Sequence, residues 1–304
     1  MENDFSNRLN VTIGAILSVY HRDDPAHLFQ ALWSLCRNQS VPLDEIVGVI
    51  EGDISTELSE VVQEFNEIRW IRIPKVLSNQ GFGLPEALNV ALANLTSDIV
   101  LKVDTDDINA QNRIQITKET FEKYPEIGLF GGQIEEWDSI FSKSFGIRSV
   151  PLKHVDILNF ALKRNPFNGP SVAFRRKQAL NLGGFPFVAA NEDFAFWCTM
   201  LHHGLESTNS DCVLVYMRGG EALVKRRSNR RTLLGELQTL RFIYELGFWN
   251  QRTYLIHRIA KTIIRNLPLA TNRYIYSLLR TAKPTQQPSE YAAAVFAWNT
   301  FSHE

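Results

Sequence analysis

Residues 98–107 read DIVLKVDTDD: an apolar run, Ile99 to Val103, that ends in three carboxylates, Asp104, Asp106 and Asp107. A short, largely β-branched run bounded by polar residues reads as a buried strand. Like charges this close repel, and burying one without a partner is costly. The loop is therefore either a solvated turn, with Asp107 capping the next helix, or the seat of something cationic. Carboxylates two positions apart on an irregular loop can both face one hard cation that takes oxygen ligands. Asp104 and Asp106 meet that requirement for Mg²⁺ or Mn²⁺, with substrate phosphates and water completing the shell.

Working outward from this strand, the chain alternates. NVTIGAILSVYHRDD opens with an apolar strand over Val11 to Val19, and PAHLFQALWSLCRNQ follows as a helix started by Pro25. DEIVGVIEGD is a second strand ending in acid, STELSEVVQEFNE a helix with a capping-box start, and IRWIRIP a third strand. LPEALNVALANLTS is the helix that leads into DIVLKV. Strands alternating with helices at this pace predict a parallel, doubly wound sheet, whose ligands lie at the carboxyl ends of the strands. The loops after Val19, Ile50 and Val103 all fall on that edge. Farther on, RIQITKETFEKY is a helix and IGLFGGQIEEWD a strand leading into antiparallel structure. HVDILNFALKRN reads as a helix, SVAFRR as a strand, NEDFAFWCTMLHHG as a helix and CVLVYMRGG as a strand.

The net charge of −1 conceals an asymmetry: residues 1–224 carry 19 Lys and Arg against 29 Asp and Glu, and residues 225–283 carry 13 against 2. An anionic partner is expected at the basic end. Within 250–283, Ile256, Ile259, Ile263 and Ile264 approximate one helical face, with Arg258, Lys261 and Arg265 elsewhere on the helix. That composition suits an interfacial helix on an anionic membrane surface; the alternative is a helix that packs its Ile face on the core. No nucleic-acid-binding motif accompanies it. No apolar run approaches the roughly 20 residues needed to span a bilayer. Three scattered cysteines, Cys36, Cys198 and Cys212, and a polar, acidic start unlike a secretory leader point to a cytoplasmic setting.

Seven segments occur in an order that resembles family 2 glycosyltransferases: ILSVYHRDDPAHLFQALWSLCRNQSVP, IEGD, NQGFGLPEALNVAL, LKVDTDDINAQNR, NPFNGPSVAFRR, GGF and NEDFAFWCTML. The likeness spans about residues 10–235 and extends to bacterial exopolysaccharide, capsule and O-antigen enzymes of the amylovoran-biosynthesis type. It implies a GT-A fold over residues 1–235: a Rossmann-like, mostly parallel sheet flanked by helices, with a nucleotide-binding half at about 10–115 and an acceptor half at about 116–235. Residues 236–283 would form a basic amphipathic helical extension, and 284–304 a linker and tail ending in a short helix.

The resemblance also implies roles. Leu17, Ser18 and Tyr20 would hold the nucleoside with the acid after the second strand, either Glu51 or Asp53. Asn79 and Gly81 would lie near the nucleotide. Asp106 would coordinate the metal, Asp104 would be shared between metal and ribose, and Asp193 of the Glu192–Asp193 pair would be the catalytic base. Arg226 or Arg227, in the basic run after the last strand, would meet the diphosphate. Arg113 is expected to brace the neighbouring carboxylates, and His202–His203 to end a helix rather than bind metal.

The expected reaction moves a sugar with inversion from a nucleotide-sugar, a UDP-hexose, to a lipid-diphosphate-linked saccharide at the inner face of the cytoplasmic membrane. A nucleotidyltransferase would want a glycine-rich phosphate loop after the first strand, and SVYHRDDPAH has none. A non-catalytic glycan-binding module would not require both acidic loops.

Overall fold

Alternate residues of the first strand, β1 (Ile13–Tyr20), are buried on opposite sides of the sheet. Ile13, Ala15, Leu17 and Val19 enter one core, and Ile16 enters the other. A strand covered on both faces belongs inside an α/β sandwich. β1 pairs in parallel with β2 (Glu45–Glu51) on one side and with β4 (Ile99–Lys102) on the other, and β3 (Arg69–Ile73) lies beyond β2. The computed structural model describes residues 10–74, 83–219, 230–266 and 286–303.

The connecting helices start where the local chemistry sets them. The side chain of Asp24 accepts the His27 N–H at 3.0 Å ahead of α1 (Pro25–Cys36), and Ser55 accepts the Leu58 N–H at 3.2 Å ahead of α2 (Thr56–Glu64). The third helix, α3 (Gly83–Asn94), precedes β4. The strand order β3-β2-β1-β4 reverses direction between β1 and β4, which places a crevice at their carboxyl ends.

The sheet continues beyond β4 with antiparallel joints. β8 (Ala173–Arg175) runs antiparallel to β4 and to β6 (Ile127–Trp137). β6 pairs in parallel with β9 (Glu206–Arg218), β9 carries β5 (Ile108–Asn109), and β7 (Ser144–Arg148) folds back on β6. Around these lie α4 (Arg113–Lys123), α5 (His154–Ala161), α6 (Arg176–Asn181) and α7 (Glu192–His202). β7 and α6 have no counterpart in the sequence reading. β7 is five half-buried residues without clean alternation, and α6 is six residues that follow β8 without a break.

Two helices beyond the sheet, α8 (Arg230–Glu245) and α9 (Gln251–Asn266), dock behind α7 through a cluster of Phe194, Cys198, Leu240, Ile243 and Trp249. The two faces of α9 lie opposite to the packing alternative posed from sequence. Ile256, Ile259 and Ile263 are 56%, 59% and 56% exposed. Lys261 and Arg265 instead turn inward onto the buried Glu236 of α8, at 3.1 and 2.5 Å. The carboxylate of Glu236 is held below its usual range by this pairing, which outweighs its burial. None of the helices among the described residues is long and apolar enough to cross a membrane.

The short helix expected at the end of the tail is α10 (Ser289–Phe301), and it packs back on α1. Phe29 meets Trp298 at 5.4 Å and Phe301 at 4.9 Å between ring centroids, and also packs edge-on against Phe65 at 5.3 Å. Phe29→Ala should therefore lower the unfolding free energy by about 3–5 kcal/mol in urea titrations. A loss below about 1 kcal/mol would mean that α10 and α1 do not share a core.

Candidate active site

The acids at the carboxyl edge are not equivalent. Ser18, near the end of β1, donates to Glu51 Oε1 at 3.0 Å. Burial raises the Glu51 pKa, the Ser18 bond opposes the rise, and Glu86 adds to it. A Cβ at Gly83 would stand 2.6 Å from Glu51 Oε2, so glycine lets the first turn of α3 close over this carboxylate. Asp53 is exposed beyond the Gly52 turn, whose φ is +67°. The structure thus brings Ser18 and Glu51 together and leaves Asp53 apart. The Leu17 side chain is fully buried in the core. Tyr20 ends β1 with its side chain exposed.

Asp23 escaped the sequence reading. Its Oδ2 accepts the Tyr20 N–H at 3.0 Å and the Thr105 hydroxyl at 3.4 Å, tying the loop after β1 to the acidic loop after β4. Burial, with repulsion from Asp106 and Glu51, pushes its pKa up to about 7 against the backbone bond from Tyr20. The available sign was its position, an acid three residues past the end of a strand that reaches the ligand edge.

The DTDD loop divides its carboxylates by partner. Asp104 forms an ion pair with Lys102, the buried last residue of β4. Asp107 is buried and accepts the Arg218 N–H at 2.8 Å, and burial and the charges of Asp106 and Asp104 hold its pKa well above normal. It caps no helix: α4 begins after Asn112. The Arg218 guanidinium bonds the Asp106 carbonyl, Gln30 Oε1 and, at 3.1 Å, the Ser139 carbonyl, and stacks on Phe141 at 5.0 Å. Arg113 is buried beneath the loop, bonded to Asn109 Oδ1 and to the Lys102 carbonyl at 3.0 Å, and burial pulls its pKa down to about 10. Its hydrogen bonds go to the backbone and to Asn109 rather than to the carboxylates, and Asp104 and Asp107 act on it only through their charge.

Asp106 is half-buried and lies within electrostatic reach of Asp23 and Asp107. Among the described residues, no group of three or more His, Cys, Asp or Glu is placed to hold a metal ion. The oxygen donors present, Asp106 and Asp104, fit a hard divalent cation that takes its remaining ligands from a diphosphate and water, and do not fit a closed all-protein cage.

Across the crevice, α7 begins with Asn191 in the left-handed region at φ +55°. Asp193 Oδ1 accepts the Phe194 N–H at 2.7 Å, and Oδ2 accepts Asn165 Nδ2 at 3.4 Å. Asn165 is itself fixed by the Phe167 N–H at 3.1 Å, and its bond to Asp193 joins distant loops that no local pattern links. A Cβ at Gly169 would lie 2.5 Å from Asp193 Oδ2, so only glycine leaves room for the carboxylate there. Burial and its neighbour Asp193 raise the Glu192 pKa to about 7, while Lys102 opposes the rise. Lys102 is therefore the charge common to both acidic motifs, and sequence reading had passed over it as part of the strand. Asn79 and Gly81, and Arg226 and Arg227, lie outside the described residues.

A sheet switch point edged by Ser18, Glu51, Asp104 and Asp106, with Glu192–Asp193 opposite, is accompanied by a direct sequence match. The family model described as glycosyl transferase family 2 matches residues 15–183, more than half of the chain. The chain belongs to this family. It is 29% identical over 261 residues to the UDP-Gal:alpha-D-GlcNAc-diphosphoundecaprenol beta-1,3-galactosyltransferase of Escherichia coli, covering 86% of this chain and 94% of that protein. It is also 29% identical to the amylovoran biosynthesis glycosyltransferase AmsE of Erwinia amylovora, covering 86% of this chain and 96% of that one.

Two solved structures share the glycosyltransferase's fold. S. aureus TarS 1-349 in complex with UDP-GlcNAc superposes with a TM-score of 0.60 at 16% identity, covering 95% of this chain and 88% of that one. The mannosyltransferase PcManGT from Pyrobaculum calidifontis, in complex with GDP-Man and Mn²⁺, gives 0.54 at 18% identity, covering 97% and 89%. The architecture is GT-A, as the resemblance implied.

The state of Asp23 can be tested in the metal-free protein. A carboxyl whose folded pKa lies above its unfolded value, about 3.9, binds more protons when folded between those values. Its contribution to stability is therefore lost as pH rises from about 4 to 7. Asp23→Asn should raise the melting temperature at pH 8, with the gain shrinking towards pH 5. A gain that does not depend on pH would contradict a raised pKa at Asp23.

Proposed function

We propose that this glycosyltransferase transfers a hexose from a UDP-sugar, with inversion, to a lipid-diphosphate-linked saccharide during surface polysaccharide synthesis. The observation that carries the reading is the meeting of two acidic motifs, Asp104–Asp106 and Glu192–Asp193, around one cation at the carboxyl edge of the sheet. The donor and acceptor classes are supported by the E. coli relative, named for UDP-Gal and a diphosphoundecaprenol-linked sugar, and the donor class also by the fold neighbour holding UDP-GlcNAc.

In this reading Ser18, Tyr20 and Glu51 seat the nucleoside with Asn79 and Gly81, Asp53 lies on its rim, and Asp104 reaches the ribose. Asp106, with Asp104, holds a divalent cation, Mn²⁺ or Mg²⁺, which when bound neutralises charge developing on the departing diphosphate. Arg226 or Arg227 adds a guanidinium to the same oxygens. Asp193 accepts the proton of the acceptor hydroxyl as its oxygen attacks the anomeric carbon from the face opposite the breaking bond to the diphosphate. The Asn165 amide and the Phe194 N–H fix the Asp193 carboxylate in that orientation. Glu192 lines the acceptor side.

The exposed strip of α9 gives the acceptor's lipid a place to be met. Leu255, Ile256, Ile259 and Ile263 form an outward apolar face, while His257 Nε2 lies 2.9 Å from the Leu162 carbonyl at the end of α5. Asn165 follows that end of α5 and donates to Asp193 in the first turn of α7 at 3.4 Å. The protein sits on the inner face of the cytoplasmic membrane through this strip and the exposed Arg252 and Arg258 within residues 250–283.

Asp193→Asn should lower kcat about 100- to 10,000-fold while leaving Mn²⁺-dependent UDP binding within about twofold. Asp106→Ala should abolish that binding in calorimetry. Normal turnover by the first variant, or undiminished metal-dependent binding by the second, would overturn the respective role. For the membrane contact, Ile259→Glu with Ile263→Glu should release the protein from sedimenting vesicles that contain anionic lipid; unchanged sedimentation would assign the strip elsewhere.

A further inference from the structure

Lys102 has a position that no step of the proposed reaction uses. It is the last residue of β4 and only 4% exposed. Its main chain is fixed from both halves of the site: its N–H donates to the Val172 carbonyl at 3.1 Å, and its own carbonyl accepts Arg113 Nη2 at 3.0 Å. Val172 ends the short turn Gly169–Ser171, whose first residue lies against Asp193. The side chain forms the ion pair with Asp104, and its charge is favoured further by Glu192 and Asp193. One buried ammonium thus pairs with Asp104 and lies within electrostatic reach of Glu192 and Asp193, from a segment about 90 residues away.

We propose that Lys102 is a positioning residue whose ammonium holds the Asp104 loop and the Glu192–Asp193 turn in one register, so that a donor bound at the first meets an acceptor activated at the second. The proposal rests on the transferase reading and assigns a residue that reading leaves without a task. Lys102 need not touch either substrate. Without it, the repulsion between Asp104 and the Glu192–Asp193 pair is unopposed and the two motifs separate. Misplacing reacting groups by about 1 Å costs on the order of 100-fold in rate. Binding at Asp104 and Asp106 responds differently. Removing an ammonium from beside Asp104 leaves that carboxylate more available to a cation, so the donor site is not weakened while turnover falls.

The experiment compares Lys102→Met and Lys102→Arg with the full-length enzyme. UDP binding with Mn²⁺ is measured by calorimetry without acceptor, and kcat and KM are measured by UDP release with acceptor. Lys102→Met should lose about 100-fold in kcat, with UDP affinity unchanged or tighter, and Lys102→Arg should restore most of the rate. Adding Glu192→Gln to Lys102→Met removes an unopposed negative charge, and should recover part of the loss as a non-additive coupling. If Lys102→Met does not fold, the pair Lys102→Gln with Glu192→Gln, which removes one charge of each sign, carries the same comparison against Glu192→Gln alone.

Wild-type kcat in Lys102→Met overturns the positioning role. So do kcat and UDP affinity that fall together and are not restored by arginine, since that is the pattern of general damage to the fold. Either result leaves the transferase reading standing if the wild type turns over. A wild type that releases no UDP from any UDP-sugar with acceptor overturns both.

Discussion

Carboxylates gathered at one sheet edge repel, and this fold opposes the repulsion with cations buried beneath them. Lys102 pairs with Asp104. Arg113 lies under the same loop, where Asp104 and Asp107 help keep it charged against burial. Arg218 plays the same part towards Asp107 and Asp106 from β9. The arrangement leaves Asp106 with its backbone anchored, its own carboxylate half-buried, and acidic neighbours that favour a cation. Charges at this depth stabilise only when their partners are complete, so their value lies in holding geometry more than in raising stability.

The same economy appears behind the second acidic motif. α7 presents Glu192 and Asp193 at its first turn and is backed by α8 and α9 through Phe194, Cys198 and Trp249. Trp249 donates to the Ala161 carbonyl at 3.1 Å and stacks on His257 at 4.3 Å, so the end of α5, the helix that carries Asp193 and α9 form one packed unit. A lipid surface met by that strip would lie beside the acceptor rather than beside the nucleotide.

Much of the nucleotide half was legible because its signals are local. Apolar strands, Pro25 after Asp24, and Ser55 before α2 each specify their element within a few residues. The DTDD loop stood out for the same reason, since strand ends in a doubly wound sheet collect ligands, whereas the Glu192–Asp193 pair at a helix start was singled out only through the family resemblance. What stayed hidden depends on distant partners. The alternation of β1 was visible, but which core each of its faces enters was not. Lys102 reads as one more strand residue until Asp104 and the turn at 192–193 are seen around it. The two faces of α9 were visible as a pattern, but their direction was decided by Glu236, a buried acid on α8 that draws Lys261 and Arg265 inward.

The central claim is a division of labour: one acidic motif for the metal and diphosphate, the other for the acceptor proton. Anomalous scattering from crystals grown with Mn²⁺ and UDP tests it most directly. The account predicts a manganese peak within coordination distance of Asp106 and the diphosphate, with the Asp193 carboxylate metal-free across the crevice. A manganese bound between Glu192 and Asp193, or none beside Asp106, would contradict it.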